Sequence, residues 1–126
     1  MFCITVVYPK LQGTNFDLSL YVSSHIPSAM RLLENRSGST VQKIELLSDC
    51  KYMGAEGESH DCHCICNMHF KERKDIENML KLKDIDDDET RKIQRNMKNY
   101  TDVEPFAYIS EVTNVDVMEI LDRPKN

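Results

Sequence analysis

Three cysteines and three histidines stand in the ten residues HDCHCICNMH, from His60 to His69. Such side chains bind metals, carry thiol redox chemistry, or pack as small hydrophobes when buried. On a strand, His60, Cys62, Cys64, Cys66 and Met68 point one way, and Asp61, His63, Ile65, Asn67 and His69 the other. Same-face neighbours then lie about 6.6 Å apart. A single zinc needs its ligands at about 2.0–2.3 Å, so a straight strand cannot gather Cys62, Cys64 and Cys66 on one ion. The C-x₂-C knuckle is also absent. Packing is the reading of this stretch, with a metal site and redox chemistry as its alternatives.

His25 is the other chemical candidate. It interrupts an apolar stripe, three residues after Val22 and four after Tyr21, and stands two residues before Pro27. An imidazole titrates near neutral pH, so one facing a cleft can accept and return a proton. The alternative is a core histidine satisfied by one hydrogen bond. A base needs a group to hold its tautomer, and Asp102 and Tyr100 are the candidates. Their plain roles would be turn residue and helix cap. Tyr8, Tyr21 and His63 are candidate substrate contacts, Tyr8 having strand core as its ordinary reading.

The composition bounds what these residues can serve. The chain has 126 residues, 40% hydrophobic and 29% charged, which suits one globular core. Net charge is -5, so no basic surface for nucleic acid is expected. No apolar run approaches the ~18 residues of a spanning helix, and MFCITVVYPK lacks the parts of a secretory leader. The expectation is a cytoplasmic protein with no membrane partner. There is no Gly-rich phosphate loop, no G-x-S-x-G elbow and no H-E-x-x-H, and DIDDDE is no EF-hand loop.

The positioning elements follow from periodicity. FCITVVY alternates with apolar residues on both sides, which predicts a strand covered on both faces and stopped by Pro9. DLSLYVSSHIPSAMRLLE predicts a helix with the stripe Leu18, Tyr21, Val22, Ile26, Ala29, Leu32 and Leu33. Asp17 can cap it, with Phe16 and Tyr21 as a hydrophobic staple. Pro27 predicts a bend or local opening at His25, and Gly38 ends the helix. TVQKIELLSDC and the opening stretch predict two strands, with KYMGAEGESH as the turn or loop between them. ERKDIENMLKLK predicts a helix with Ile76, Met79 and Leu80 on one face. ETRKIQRNMKNY predicts another through Ile93, Met97 and Tyr100, and EPFAYISEVT the last strand. This is a ferredoxin-like βαββαβ order with a four-stranded antiparallel sheet. Its bare face is expected to be buried by a second copy, giving a homodimer.

Several stretches resemble the EthD family of the dimeric α+β barrel superfamily. They are VVYP at 6–9, FD at 16–17, HIP at 25–27 and NYTDVEPFAYISEV at 99–112. Tyr8, Pro9, Phe16, Asp17, Tyr21, His25, Pro27, Asn99, Tyr100, Thr101, Asp102, Pro105, Ile109, Ser110, Glu111 and Val112 fall on the family pattern. Ile26 and Ser28 stand where Met and Leu are usual. The resemblance covers residues 1–113; residues 114–126 form a C-terminal extension that would pack on a partner chain. It implies an α+β dimeric barrel. It also implies a link to degradation of fuel ethers or tailoring of aromatic and polyketide compounds, in a superfamily that includes cofactor-free monooxygenases and muconolactone isomerases.

The leading expectation is a cofactor-independent enzyme moving a proton at His25 on a small apolar or aromatic compound, by oxygenation, isomerisation or decarboxylation. Asp102 and Tyr100 would assist. One alternative is a non-catalytic ligand-binding or accessory protein using the same pocket. The other is haem handling, with His25 and His63 as axial ligands.

Overall fold

The computed structural model describes residues 1–54 and 60–124. Residues 55–59, half of the expected loop and including Gly57, and residues 125–126 lie outside the described part. The elements are β1 (Phe2–Pro9), α1 (Leu18–Leu20), a π-helical turn (Tyr21–His25), α2 (Ile26–Ser37), β2 (Lys43–Cys50) and β3 (Cys62–Phe70). Then follow α3 (Arg73–Leu80), α4 (Asp88–Asn96), a 3₁₀ turn (Met97–Asn99), β4 (Phe106–Glu111) and α5 (Val117–Ile120). The four strands make one antiparallel sheet in the order β2-β3-β1-β4. No helix among the described residues is long and apolar enough to cross a membrane.

The first helical segment forms as its sequence requires. The Asp17 carboxylate accepts from the Leu20 N–H at 3.0 Å, satisfying an amide that has no partner inside the helix. Phe16 and Tyr21 close the staple with ring centroids 5.1 Å apart. Pro27 has no N–H to donate, and its ring crowds the carbonyl four residues back. The chain accommodates it by widening the turn just before. The Ile26 N–H donates to the Tyr21 carbonyl, five residues back, and His25 ends this π turn. The expected opening is thus a π turn. Gly38 stops α2 at φ 72°, a left-handed conformation that costs glycine little.

One sheet face carries the core. Tyr8, Cys64, Cys66, Met68 and Phe70 are buried there beneath Tyr21, Ile76, Met79 and Tyr100. Cys64 is wholly inaccessible, and its burial pushes the thiol up to about 12. Two stripes are narrower than expected: Leu18, Val22 and Leu80 are exposed.

The opposite face corrects the barrel expectation. The sheet is open, with β2 and β4 as its two edges, and is not closed into a barrel. A polar row crosses the middle of the bare face. Thr5 Oγ1 donates to Asn67 Oδ1 at 2.7 Å, and Asn67 Nδ2 donates to Glu45 Oε1 at 3.3 Å. Such a row is satisfied without burial against a second sheet. Apolar side chains flank it: Leu47, Phe106 and Tyr108 are exposed, whereas Cys3 and Val7 are buried. Apolar residues on both sides of the first and third strands are the basis for expecting closure. Phe2, Ile4 and Val6 serve the core, while Thr5 joins the polar row.

The α4 start yields a pH prediction. Asp87 accepts from the Thr90 N–H at 2.9 Å and pairs with Arg36 of α2. The Thr90 amide and the Arg36 guanidinium hold its carboxyl down at about 2. A depressed carboxylate stabilises the fold above its unfolded value near 3.9, and that contribution vanishes as pH falls through about 2. Asp87→Asn is expected to melt below wild type at neutral pH. The two melting temperatures should converge between pH 4 and pH 2.

Candidate functional site

Four segments meet at the tip of β1. Tyr8, 2% exposed, stands where the β1–β3 register shifts beside Pro9. Its hydroxyl lies 3.1 Å from that of Tyr100, which follows the 3₁₀ turn. The segment Asn99–Asp102 is stitched to the start of α1. The Asp17 N–H donates to the Tyr100 carbonyl at 2.7 Å, and Thr101 Oγ1 donates to the Asn15 carbonyl at 2.9 Å. The Asn15 N–H donates to Asp102 Oδ1 at 2.9 Å. These backbone bonds bring Tyr8, Phe16, Tyr21, His25 and Tyr100 into one aromatic cluster. His25 stacks on Tyr21 with centroids 5.4 Å apart and tilts against Tyr100 at 4.8 Å.

Beside this cluster lies a partly open cavity of ≈ 190 Å³ between the sheet and α2. Tyr8, Tyr21, His25 and Cys66 supply its polar atoms; Met30, Ile44 and Met68 are among its apolar walls. Among the described residues no Lys, Arg, Asp or Glu lines it. Nδ1 of His25 is buried without a hydrogen-bond partner. Burial also lowers the imidazole's pKa, so it is held neutral. Burial raises the Tyr8, Tyr21 and Tyr100 phenols, keeping them protonated as hydrogen-bond donors. Burial likewise raises the Cys66 thiol, against the lowering effect of its bond with Tyr21. The arrangement is a small, mostly apolar cavity with a neutral hydrogen-bonding end, the lining character of a small-molecule site.

The expected site residues divide. His25, Tyr8 and Tyr21 line the cavity, and Tyr100 backs it through Tyr8. Asp102 takes the Asn15 amide and faces open surface hollows of ≈ 540 and ≈ 620 Å³. It is not placed as a partner to His25. His63 stacks on Phe16 at 6.0 Å, and its Nε2 lies 3.0 Å from Thr14 Oγ1, outside the cavity lining. Burial and Lys10 lower its pKa, with Asp102 opposing. A haem does not fit: the chamber is smaller than the ~300–1,000 Å³ of ordinary ligand pockets, and the two histidines do not share it. Among the described residues no three His, Cys, Asp or Glu side chains are placed to hold a metal ion.

Cys66 and Phe16 were not foreseen as site residues. Cys66 could have been found from its parity with Met68 on the face opposite Asn67. Phe16 could have been found from the staple that presses it onto Tyr21.

The buried hydroxyl pair gives a stability prediction. Tyr100→Phe removes one hydroxyl partner of Tyr8, which keeps its bond with Tyr21, at a cost of about 0.5–1.5 kcal/mol. The Tyr8→Phe/Tyr100→Phe double variant should lose less than the sum of the singles. Urea unfolding of the four proteins measures that coupling.

No family model matches the chain, and no curated protein matches it. Solved structures do. An EthD-like protein from Ralstonia eutropha JMP134 superimposes with a TM-score of 0.64 at 22% identity, over 92% of this chain and 95% of that one. An Arabidopsis thaliana protein gives 0.54 at 8% identity, over 93% and 100%. An ethyl tert-butyl ether D family protein from Bacillus halodurans C-125 gives 0.50 at 13%, over 90% and 99%. These likenesses establish a shared α+β, ferredoxin-like fold across nearly the whole chain. A fold of this kind hosts many chemistries, so the function has to be argued from the site.

Proposed function

We propose that the chain is a small-molecule binding protein whose inner cavity takes a compact, neutral, largely apolar compound with one hydrogen-bonding group. The observation that carries this is a cavity of ≈ 190 Å³ lined by His25, Tyr8 and Tyr21 among apolar side chains, with Nδ1 of that histidine buried and unpartnered. An unpaired buried polar atom costs about 1–3 kcal/mol, and a ligand group that pairs with it recovers that cost. The neutral lining selects the ligand class. A carboxylate or phosphate would find no cation there, and an ammonium no carboxylate, so either would be buried at heavy cost. A phenol or a small ketone suits the phenolic donors and the imidazole. Titration calorimetry with p-cresol, cyclohexanone and benzoate tests this. The neutral compounds should bind at the cavity and benzoate should not; preferred binding of benzoate would overturn the reading.

The catalytic reading uses the same groups, with His25 accepting a proton and Tyr8 or Tyr21 donating a hydrogen bond to developing oxyanion charge. It is the weaker of the two because Asp102 is turned to Asn15 and the imidazole's basicity is lowered.

A second copy of the chain remains the proposed macromolecular partner. Its support is the exposed pair Phe106 and Tyr108 on edge strand β4, together with exposed Val117, Ile120 and Leu121 in the C-terminal segment. Light scattering at micromolar concentration should give about twice 14.6 kDa. A monomer mass would remove this proposal and leave the cavity reading standing.

A further inference from the structure

We infer that Cys50 and Cys62 are an oxidisable dithiol that closes the β2–β3 hairpin with a disulfide when the protein meets a peroxide. The two residues are direct cross-strand partners in the antiparallel ladder. Directly opposed residues in such a ladder have Cα atoms about 4.5 or 5.5 Å apart. Both spacings fall within the roughly 4.4–6.8 Å that a disulfide bridges. All five cysteines of the chain are free thiols, and these two are distinct from the rest. Cys3, Cys64 and Cys66 are buried, whereas Cys50 and Cys62 are only partly covered. Their sulfurs make long bonds to nearby main-chain carbonyls, at 3.5 Å to Leu47 and 3.8 Å to His60.

The backbone on the β3 side is pinned. The Lys10 N–H donates to the Asp61 carbonyl at 2.9 Å, and the Tyr52 N–H donates to Asp61 Oδ1 at 2.8 Å. The first ties the residue before Cys62 to the chain just after β1, and the second ties it to the segment just after Cys50. The two cysteines therefore stand opposite each other on paired strands, at a backbone spacing that a disulfide spans once the sulfurs leave their carbonyl contacts.

The chemistry balances with hydrogen peroxide as oxidant. The thiolate of one cysteine attacks a peroxide oxygen, the O–O bond breaks, and hydroxide leaves to be protonated to water. The sulfenic acid so formed is attacked by the second sulfur. An S–S bond forms, the S–O bond breaks, and a second water leaves. Two thiols and one peroxide become one disulfide and two waters. Burial raises both thiols, reinforced by Asp49 beside Cys50 and Asp61 beside Cys62. The pair is accordingly a slow clamp and not a fast sensor. Once formed, the bond closes a ring over residues 50–62 and restricts the unfolded chain.

Reduced protein is to be exposed to hydrogen peroxide, quenched with N-ethylmaleimide and mapped by mass spectrometry without reduction. The expected result is one intramolecular Cys50–Cys62 cross-link, a mass lower by two hydrogen atoms and a higher melting temperature. Cys62→Ser should abolish the cross-link, and Cys64→Ser should retain it. The inference is overturned if Cys50 and Cys62 both remain alkylatable, if Cys50 joins Cys64 instead, or if only intermolecular disulfides form.

Discussion

Ala29→Leu should abolish binding of a neutral phenol, by about a hundredfold or more, while the chain stays folded. Ala29 lies in the cavity wall contributed by α2. Three added carbons would occupy a large part of a ≈ 190 Å³ space. A ligand that must share that space meets the cost of overpacking, about 1–3 kcal/mol or more. Each 1.4 kcal/mol is tenfold in affinity, so the upper part of that range is about a hundredfold. Without ligand the same carbons fill a void. Their burial, about 0.8 kcal/mol per methylene, offsets local crowding, and urea unfolding should shift little. Calorimetric titration with p-cresol reads the first effect. Undiminished binding in this variant would place the ligand elsewhere.

His25→Gln should separate binding from folding in a second way. The imidazole is only partly buried, and it packs through ring faces against Tyr21 and Tyr100. Its Nδ1 bonds nothing among the described residues, so no hydrogen bond to them through that atom is lost on replacement. Affinity for a ligand paired to Nδ1 should fall about tenfold, the worth of a hydrogen bond near the top of the usual range. If the protein turns a substrate over, removal of its proton acceptor should cut the rate by about 10²–10⁴. The pH dependence follows from the same residue. Burial lowers the His25 pKa in the fold, so the unfolded chain takes up the proton first as pH falls through about 6.5. The stability associated with neutral His25 is full above that value and declines below it. His25→Gln should flatten this decline, leaving the share due to His63, whose pKa is also lowered.

The parts legible in the sequence were those set by local chemistry. Asp17, Phe16 and Tyr21 announce the helix start, Pro27 announces the opening at His25, and Gly38 announces the end. Strand parity put Cys64, Cys66 and Met68 on one face of β3. The separation of Asp102 from His25 was not legible, because it follows from the bond Asp102 accepts from the Asn15 amide. That bond depends on an antiparallel approach of residues 16 and 101, which no spacing encodes. Closure of the sheet was misjudged for a related reason. Thr5, Asn67 and Glu45 come from three strands, and only their registers reveal a continuous polar row. The cavity itself is a property of packing between α2 and three strands, to which Ile44 and Met97 contribute without any sequence signature.

The most direct test of the central claim is the ¹⁵N spectrum of the His25 imidazole during titration with p-cresol at neutral pH. The account predicts that Nδ1 shifts saturably with the calorimetric binding curve, and that both the shift and the binding disappear in Ala29→Leu. Binding of p-cresol with no change at either His25 nitrogen would contradict it.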